Sequence, residues 1–185
     1  MVFRDAFRGC CRRRDGPTRS RASPGRAGLG IAVQRPSIYQ FAGGEAAFLA
    51  LATAHHERCL QDPVLSHPFS HPGHPDHIQR LASYWAEVFG GPPAYSQSCG
   101  GHSQMLDIHA GQGADDDLGD RFVNCFVEAA DDAALPDDPV FRASLRGYME
   151  WAVREVLSYS PRGSRVPPSV PLPHWSWTGL VETSG

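Results

Sequence analysis

The sequence contains no lysine, and all seventeen of its basic residues are arginine. Together with the abundant glycine and proline, this exclusive use of arginine indicates GC-rich coding rather than selection for arginine chemistry. The arginines are therefore weak evidence for nucleic-acid binding, and we expect no nucleic-acid partner. No run approaches the roughly 18–20 apolar residues that cross a bilayer, so we expect no membrane association either.

Cysteine is also used sparingly, with five residues and no CxxC pair in the chain. An odd number without paired spacing argues against a disulfide framework and against a zinc ribbon. The N-terminus lacks the apolar core of a secretory signal. These absences predict a cytoplasmic protein in a reducing compartment.

Three further patterns are missing. No segment shows strand-like alternation or a βα repeat, which predicts an all-α fold. No glycine-rich NAD or flavin fingerprint occurs, so any electrons must come from an unidentified external donor. No HExxH or Glu-x-x-His pair is present to mark a non-haem metal site on a helix.

Charge is distributed unevenly along the chain. Residues 1–35 carry nine arginines against two acidic residues, whereas the remainder carries eight arginines against eighteen acidic residues. We predict three parts: a disordered arginine-rich extension over 1–35, a folded domain over 36–160, and a Pro/Trp-rich tail over 161–185. The tail contains Trp175 and Trp177, which either dock on the domain or form a partner site.

Four helices follow from apolar spacing and from start and stop signals. One runs over about 45–60, between a Gly-Gly pair and Asp62-Pro63. Another runs over 77–89 with a clear buried stripe, and a proline-rich loop over 63–75 precedes it. Acidic residues at 115–117 and 137–138 start two more helices, and the last is about 20 residues long.

Residues 100–113 form a glycine-bracketed helical segment too short to be stable alone in water. Met105, Ile108 and His109 lie at i, i+3 and i+4, which predicts that they share an inward face. Glycines on both sides allow a planar ligand to approach the backbone. We infer a haem docked on this helix, with His109 as its axial ligand.

Histidine is concentrated, with six of the nine histidines between positions 55 and 77. His55 and His56 lie within an apolar helix and point about 100° apart, so at most one of them faces the core. His77 begins the apolar face of the next helix. A buried imidazole needs a hydrogen-bond partner or a metal.

At this point the sequence resembles the truncated haemoglobins, and within them group II, over roughly residues 37–160. The resemblance depends on the order and spacing of several features. These are Gly43-Gly44, Asp62-Pro63-Val64-Leu65 followed by Phe69, the run at 84–92, Tyr95-Ser96, Gly101-His102, His109-Ala110 and the helix of Phe122. It implies a two-over-two helical sandwich around haem b (iron protoporphyrin IX). The tail is similar to an extension of some actinobacterial members.

The resemblance also implies roles for individual residues. His109 matches the proximal histidine that binds haem iron, with Met105 and Ile108 beside it. Phe69 matches the aromatic residue that packs on the porphyrin, and Leu81 matches the apolar residue above the iron. Arg80 and Tyr95 match positions near a haem propionate.

Three positions depart from the group II pattern. His56 replaces the usual distal tyrosine, His77 replaces a small residue at the pocket mouth, and Phe122 replaces a tryptophan. His56 and His77 restore hydrogen-bond donors for a diatomic ligand, and one such bond contributes roughly 0.5–1.5 kcal/mol. Alternatively, one of them binds the iron as a sixth ligand.

Our main hypothesis is therefore a haem protein that binds O2, NO or other diatomic ligands and is a monomer or homodimer. Oxygen carriage, NO dioxygenation and peroxide reduction all remain open, because one fold supports many functions. Two alternatives belong to other classes. One is a non-haem metalloenzyme in which His55 or His56 joins His77, His102 or His109. The other is a metal-free interaction module that uses the arginine-rich arm and the tail.

Overall fold

The computed structural model describes residues 35–70, 74–114 and 116–182. The predicted extension over 1–35 therefore lies outside the described residues, except for Arg35. Within the described residues the chain forms eight helices and one two-stranded hairpin. The helices are α1 (Ile38–Ala42), α2 (Glu45–Gln61), α3 (Ser66–Phe69), α4 (His77–Val88), α5 (Ala94–Ser98), α6 (His102–His109), α7 (Asp116–Asp132) and α8 (Pro139–Ser158). The all-α prediction is confirmed.

The four long helices lie where the apolar spacing predicts them, and their ends follow local chemistry. Helix α1, which precedes them, begins with a capping box in which Ser37 and Gln40 each accept from the other's backbone N–H. It ends at Gly43, whose φ of 113° is the left-handed conformation that favours glycine. Helix α8 begins at Pro139, and the Asp138 carboxylate accepts from the Phe141 amide 2.8 Å away.

Two helical pairs form the framework. Helix α2 packs against α4, α7 packs against α8, and α2 contacts α7 between the pairs. Gly119 lets α7 approach α8 closely, because a Cβ there would lie 2.7 Å from Val153 Cγ1. The core at the centre of these contacts is rich in aromatic rings, including Phe48, Phe89 and Phe126. This is the two-over-two arrangement that the resemblance predicts.

The prediction that residues 63–75 form only a loop is wrong in one place. Ser66–Phe69 make a single helical turn, α3, that contains Pro68. Proline is tolerated in the first turn of a helix, where its missing N–H would have no intrahelical partner. The turn presents Phe69 to α2 and α7.

The tail packs on the helices and contains a small hairpin, β1 (Trp175–Ser176) with β2 (Gly179–Leu180). The Trp175 ring lies 5.8 Å from the ring of Tyr148 on α8. The Trp177 ring lies 5.2 Å from the ring of Phe41 on α1, and its N–H donates to the Pro36 carbonyl at 2.7 Å. The division at residue 160 into domain and tail stays a prediction.

In the part of the chain that the structure describes, no helix is both long enough and apolar enough to span a bilayer.

Candidate functional site

Four side chains from four helices lie close together. They are His56 from α2, Phe69 from α3, His77 from α4 and Phe122 from α7, and we call them the histidine–aromatic cluster. The His56 ring lies 5.5 Å from that of His77 and 5.7 Å from that of Phe69. Phe69 and Phe122 are 6.0 Å apart. The structure therefore brings together four residues that the sequence predicted for one pocket.

The two imidazoles of the cluster have different surroundings. His56 is half-buried, and its Nδ1 is buried without a hydrogen-bond partner in the described part of the chain. His77 is exposed on its outer side, while the packing of its ring lowers its pKa by desolvation. The neighbouring imidazoles of His56 and His109 lower the pKa of His77 further. The lowered pKa favours the neutral form of His77, in which one ring nitrogen donates and the other accepts.

His109 is the last residue of α6 and is exposed. Its Nδ1 lies 2.8 Å from the Met105 carbonyl oxygen, one helical turn earlier. A carbonyl only accepts, so Nδ1 carries the proton and donates, which leaves the lone pair on Nε2. Metal-binding histidines usually show this arrangement, in which the second ring nitrogen is tied to a carbonyl or carboxylate.

The inward face predicted for Met105, Ile108 and His109 is wrong for Ile108, which is 63% exposed, and His109 is exposed as well. The contact of Ile108 with a haem stays a prediction. The buried residues of α6 are His102 and Leu106, while Met105 is half-buried. At 100° per residue, His109 lies about 60° from Leu106 around the helix, whereas Ile108 lies about 160° away. His109 and Leu106 thus share a face that Ile108 does not.

The remaining predicted residues lie around α4 and α5. Leu81 is half-buried against the core. The Arg80 guanidinium donates to the Cys99 carbonyl at 2.8 Å, which ties α4 to the segment before α6. Tyr95 is buried, with its ring 5.0 Å from that of Tyr84, and burial raises its pKa. The roles of Arg80 and Tyr95 at haem propionates stay predictions.

His55, which the sequence analysis considered only as a ligand of the non-haem alternative, packs against two rings of the cluster. It is fully buried behind the cluster, with ring centroids 4.5 Å from Phe122 and 5.3 Å from Trp85. Burial lowers its pKa to about 3, so the ring is neutral, and a hydrogen bond with the Phe122 backbone opposes the shift. A signal was present in the sequence, since His55 lies four residues after Leu51 and four before Cys59 on the buried stripe.

His102, which the sequence analysis placed in a Gly-His step and among the ligands of the non-haem alternative, lies at the centre of a buried polar network. Its Nδ1 is 2.8 Å from the Tyr84 hydroxyl, and its Nε2 is 3.1 Å from a Glu155 carboxylate oxygen. A neutral imidazole satisfies both partners when Nε2–H donates to Glu155 and Nδ1 accepts from Tyr84. The network joins the first residue of α6 to α4 and α8.

The non-haem alternative finds no ligand set in the structure. Among residues 35–70, 74–114 and 116–182, no group of three or more His, Cys, Asp or Glu side chains is placed to hold a metal ion. His55 and His102, two of the candidates, are instead engaged by Phe122, Tyr84 and Glu155.

The chain was compared with known proteins by sequence and by structure. Residues 37–145 match the model of the family described as bacterial-like globin. No curated protein sequence is significantly similar to the chain.

Solved structures of truncated haemoglobins superpose on most of the folded region. The haemoglobin of Chloroflexus aurantiacus is 26% identical, with a TM-score of 0.57, and the match covers 66% of this chain and 98% of that one. A thermostable haemoglobin from the actinobacterium Thermobifida fusca is 28% identical, with a TM-score of 0.54, and the match covers 65% and 96%. A group II 2-on-2 haemoglobin from Agrobacterium tumefaciens is 20% identical, with a TM-score of 0.57 over 68% and 97%, a likeness that shows the fold alone.

Globins hold a haem and bind diatomic gases at its iron, so family membership implies a haem cofactor here. The family model matches more than half of the chain's residues, so the chain belongs to the bacterial-like globin family, and it has the fold of the truncated, 2-on-2 haemoglobins.

Proposed function

We propose that this globin holds haem b between His109 and the histidine–aromatic cluster and uses it to bind O2 and other diatomic ligands. When bound, the haem supplies a coordination site for such a gas and a one-electron redox couple. The observation that carries the proposal is the hydrogen bond from His109 Nδ1 to the Met105 carbonyl, 2.8 Å long. It sets the tautomer in which Nε2 is free to bind iron.

The opposite side of the site also fits a ligand pocket. A buried polar atom without a partner is costly, and His56 Nδ1 is such an atom in the described part of the chain. A diatomic ligand, or a water in its place, would give His56 the partner that it lacks. His77, 5.5 Å from His56 between ring centroids, adds a second imidazole at the solvent side.

Apolar rings complete the pocket. Phe69 and Phe122, 6.0 Å apart, offer aromatic surface suited to contact with a porphyrin, and Leu81 on α4 offers aliphatic surface. We propose that these three side chains hold the haem by apolar contact and exclude water from the ligand side. His56 and His77 then donate N–H groups to the bound ligand.

The same imidazole pair suits a further chemical use. Imidazoles can pass protons, which peroxide reduction takes up when the O–O bond is cleaved, whereas NO dioxygenation to nitrate needs no proton and would use the pair only as hydrogen-bond donors. We propose such turnover as a second function, with electrons from an external donor.

A haem titration of the apoprotein tests the first proposal. The wild-type chain should bind haem with 1:1 stoichiometry and give a Soret band. The variant His109→Ala should lose the haem to a competing apoglobin much faster, while His174→Ala, an exposed histidine of the tail, should behave like wild type. A His109→Ala protein that keeps both its haem and its spectrum would contradict the assignment of His109.

A further inference from the structure

Helix α6, which carries His109, owes little of its position to apolar packing. Of its eight residues only His102 and Leu106 are buried. An isolated helix of this length is not stable in water, so contacts from outside must hold it in place. The contacts of its two ends therefore decide how firmly His109 is positioned.

The N-terminal end of α6 is hydrogen-bonded to the tail through one side chain. The Ser103 hydroxyl donates to the Pro167 carbonyl at 2.7 Å and accepts from the Val170 amide at 2.8 Å. A serine hydroxyl has one proton to donate, and both its donor and its acceptor capacity are used here. Ser103 thus fixes two points of the tail against the first turn of α6.

The segment after α6 is hydrogen-bonded to the two residues that follow α8 and lead into the tail. The Gly111 amide donates to the Tyr159 carbonyl at 2.9 Å, and the Gly113 amide donates to the Ser160 carbonyl at 3.0 Å. The Ser160 hydroxyl in turn donates to the Ala114 carbonyl at 2.8 Å. Residues 159–170 consequently run alongside α6 in the opposite direction and contact both of its ends. We call residues 159–170 the strap.

Beyond the strap, the tail is anchored on α8. Trp175 lies 5.8 Å from Tyr148 and 6.1 Å from Trp151, measured between ring centroids. Its ring also packs next to Gly147, where a Cβ atom would lie 3.5 Å from Trp175 Cζ2. The strap begins directly after α8, and Trp175, five residues beyond its end, contacts α8 again, so the strap can transmit the position of α8 to α6.

We propose that the strap is a positioning element for the iron ligand. Acting through Ser103, it holds α6 in the position and orientation in which His109 Nε2 can bind the iron. The inference rests on the proposed role of His109 as that ligand. Freed from the strap, α6 would be held at its N-terminal end by the buried network of His102 and by the bond from Arg80 to the Cys99 carbonyl just before the helix. The imidazole would then sample a wider range of positions, and its bond to iron would weaken.

Two readouts on the full-length chain test this inference. The first is amide hydrogen exchange of residues 102–109 in the haem-free and the haem-loaded protein. Loss of both Ser103 bonds in Ser103→Ala should accelerate exchange in α6 about tenfold. The second is the iron–imidazole stretching band in resonance Raman spectra of the ferrous protein, which should shift and broaden in Ser103→Ala.

Two matched variants complete the design. Ser103→Thr keeps the hydroxyl and should restore both readouts, which a merely local packing defect would not predict. Ser98→Ala removes an exposed hydroxyl from α5 and should leave both unchanged.

The inference is overturned if exchange in α6 is the same in Ser103→Ala and wild type. It is equally overturned if exchange accelerates while the iron–imidazole band does not move. A wild-type protein that binds no haem would overturn the proposed function instead, because the exchange rates of the haem-free chain still measure the strap by itself.

Discussion

The buried imidazole of His55 should make the stability of this globin fall in mild acid. The ring has a pKa of about 3 in the folded chain, against 6.5 in the unfolded chain, chiefly because burial disfavours the charged form. Between these two values the unfolded chain binds a proton that the folded chain does not. The stabilising contribution is therefore complete above pH 6.5 and is lost progressively as the pH falls below it.

The size of the effect follows from the two pKa values. Each pH unit between them costs about 1.4 kcal/mol, so lowering the pH from 7.5 to 5.0 removes about 2 kcal/mol through His55 alone. The variant His55→Phe removes the titrating group and keeps an aromatic ring among Phe69, Trp85 and Phe122.

Urea unfolding at pH 7.5 and 5.0 measures this contribution, with equal haem content in all proteins. The decrease in unfolding free energy between the two pH values should be about 2 kcal/mol smaller in His55→Phe than in wild type. His174→Gln, which removes an exposed histidine, serves as the control. The reasoning fails if His55→Phe and wild type lose the same free energy on acidification, because His55 would then be charged or accessible in the folded state.

Three further expectations concern ligand binding and packing. His77→Ala should retain haem but change the O2 dissociation rate about tenfold, as measured by stopped flow, because one imidazole donor is lost. An unchanged rate would show that His77 does not contact the bound ligand. Gly119→Ala should lower the unfolding free energy by about 1–2 kcal/mol, because the new Cβ meets the stiff β-branched side chain of Val153 at 2.7 Å; a variant as stable as wild type would show that the helices can separate. Asp138→Ala should cost about 1 kcal/mol through loss of the cap on α8, checked by thermal unfolding against Asp138→Asn, which keeps a capping oxygen.

The long helices could be predicted because each has an apolar face with the period of a helix and a clear stop. The short elements could not, since their formation depends on tertiary contacts. Helix α3 forms around Pro68, in a stretch whose prolines alone predict a loop, because a single turn needs no interior N–H from proline. The hairpin of Trp175 and Leu180 has only two residues in each strand, too few for alternation to be visible.

The candidate site could be predicted in part for a similar reason. The resemblance assigned His56, His77 and Phe122 to one pocket. In the structure the rings of His56 and His77 lie close together, and Phe69 lies close to both His56 and Phe122. The error at Ile108 arose from treating positions i, i+3 and i+4 as one inward face. In the structure the buried residues of α6 are His102 and Leu106, and they set the rotation of the helix about its axis.

Polar contacts between residues far apart in the chain could not be predicted from the sequence. Nothing in the spacing of Ser103 indicates that Pro167 and Val170 fold back onto it. The Tyr84–His102–Glu155 network likewise joins three helices that are separate in sequence. Such pairings depend on how helices cross, and single-sequence periodicity does not encode crossing angles.

The most direct test of His109 as the iron ligand is a cavity experiment read by resonance Raman spectroscopy. In the ferrous wild-type protein we expect an iron–imidazole stretching band. The variant His109→Gly should lose this band, and added imidazole should restore it by occupying the space of the missing ring. A band that survives in His109→Gly without added imidazole would show that another residue binds the iron and would contradict the account.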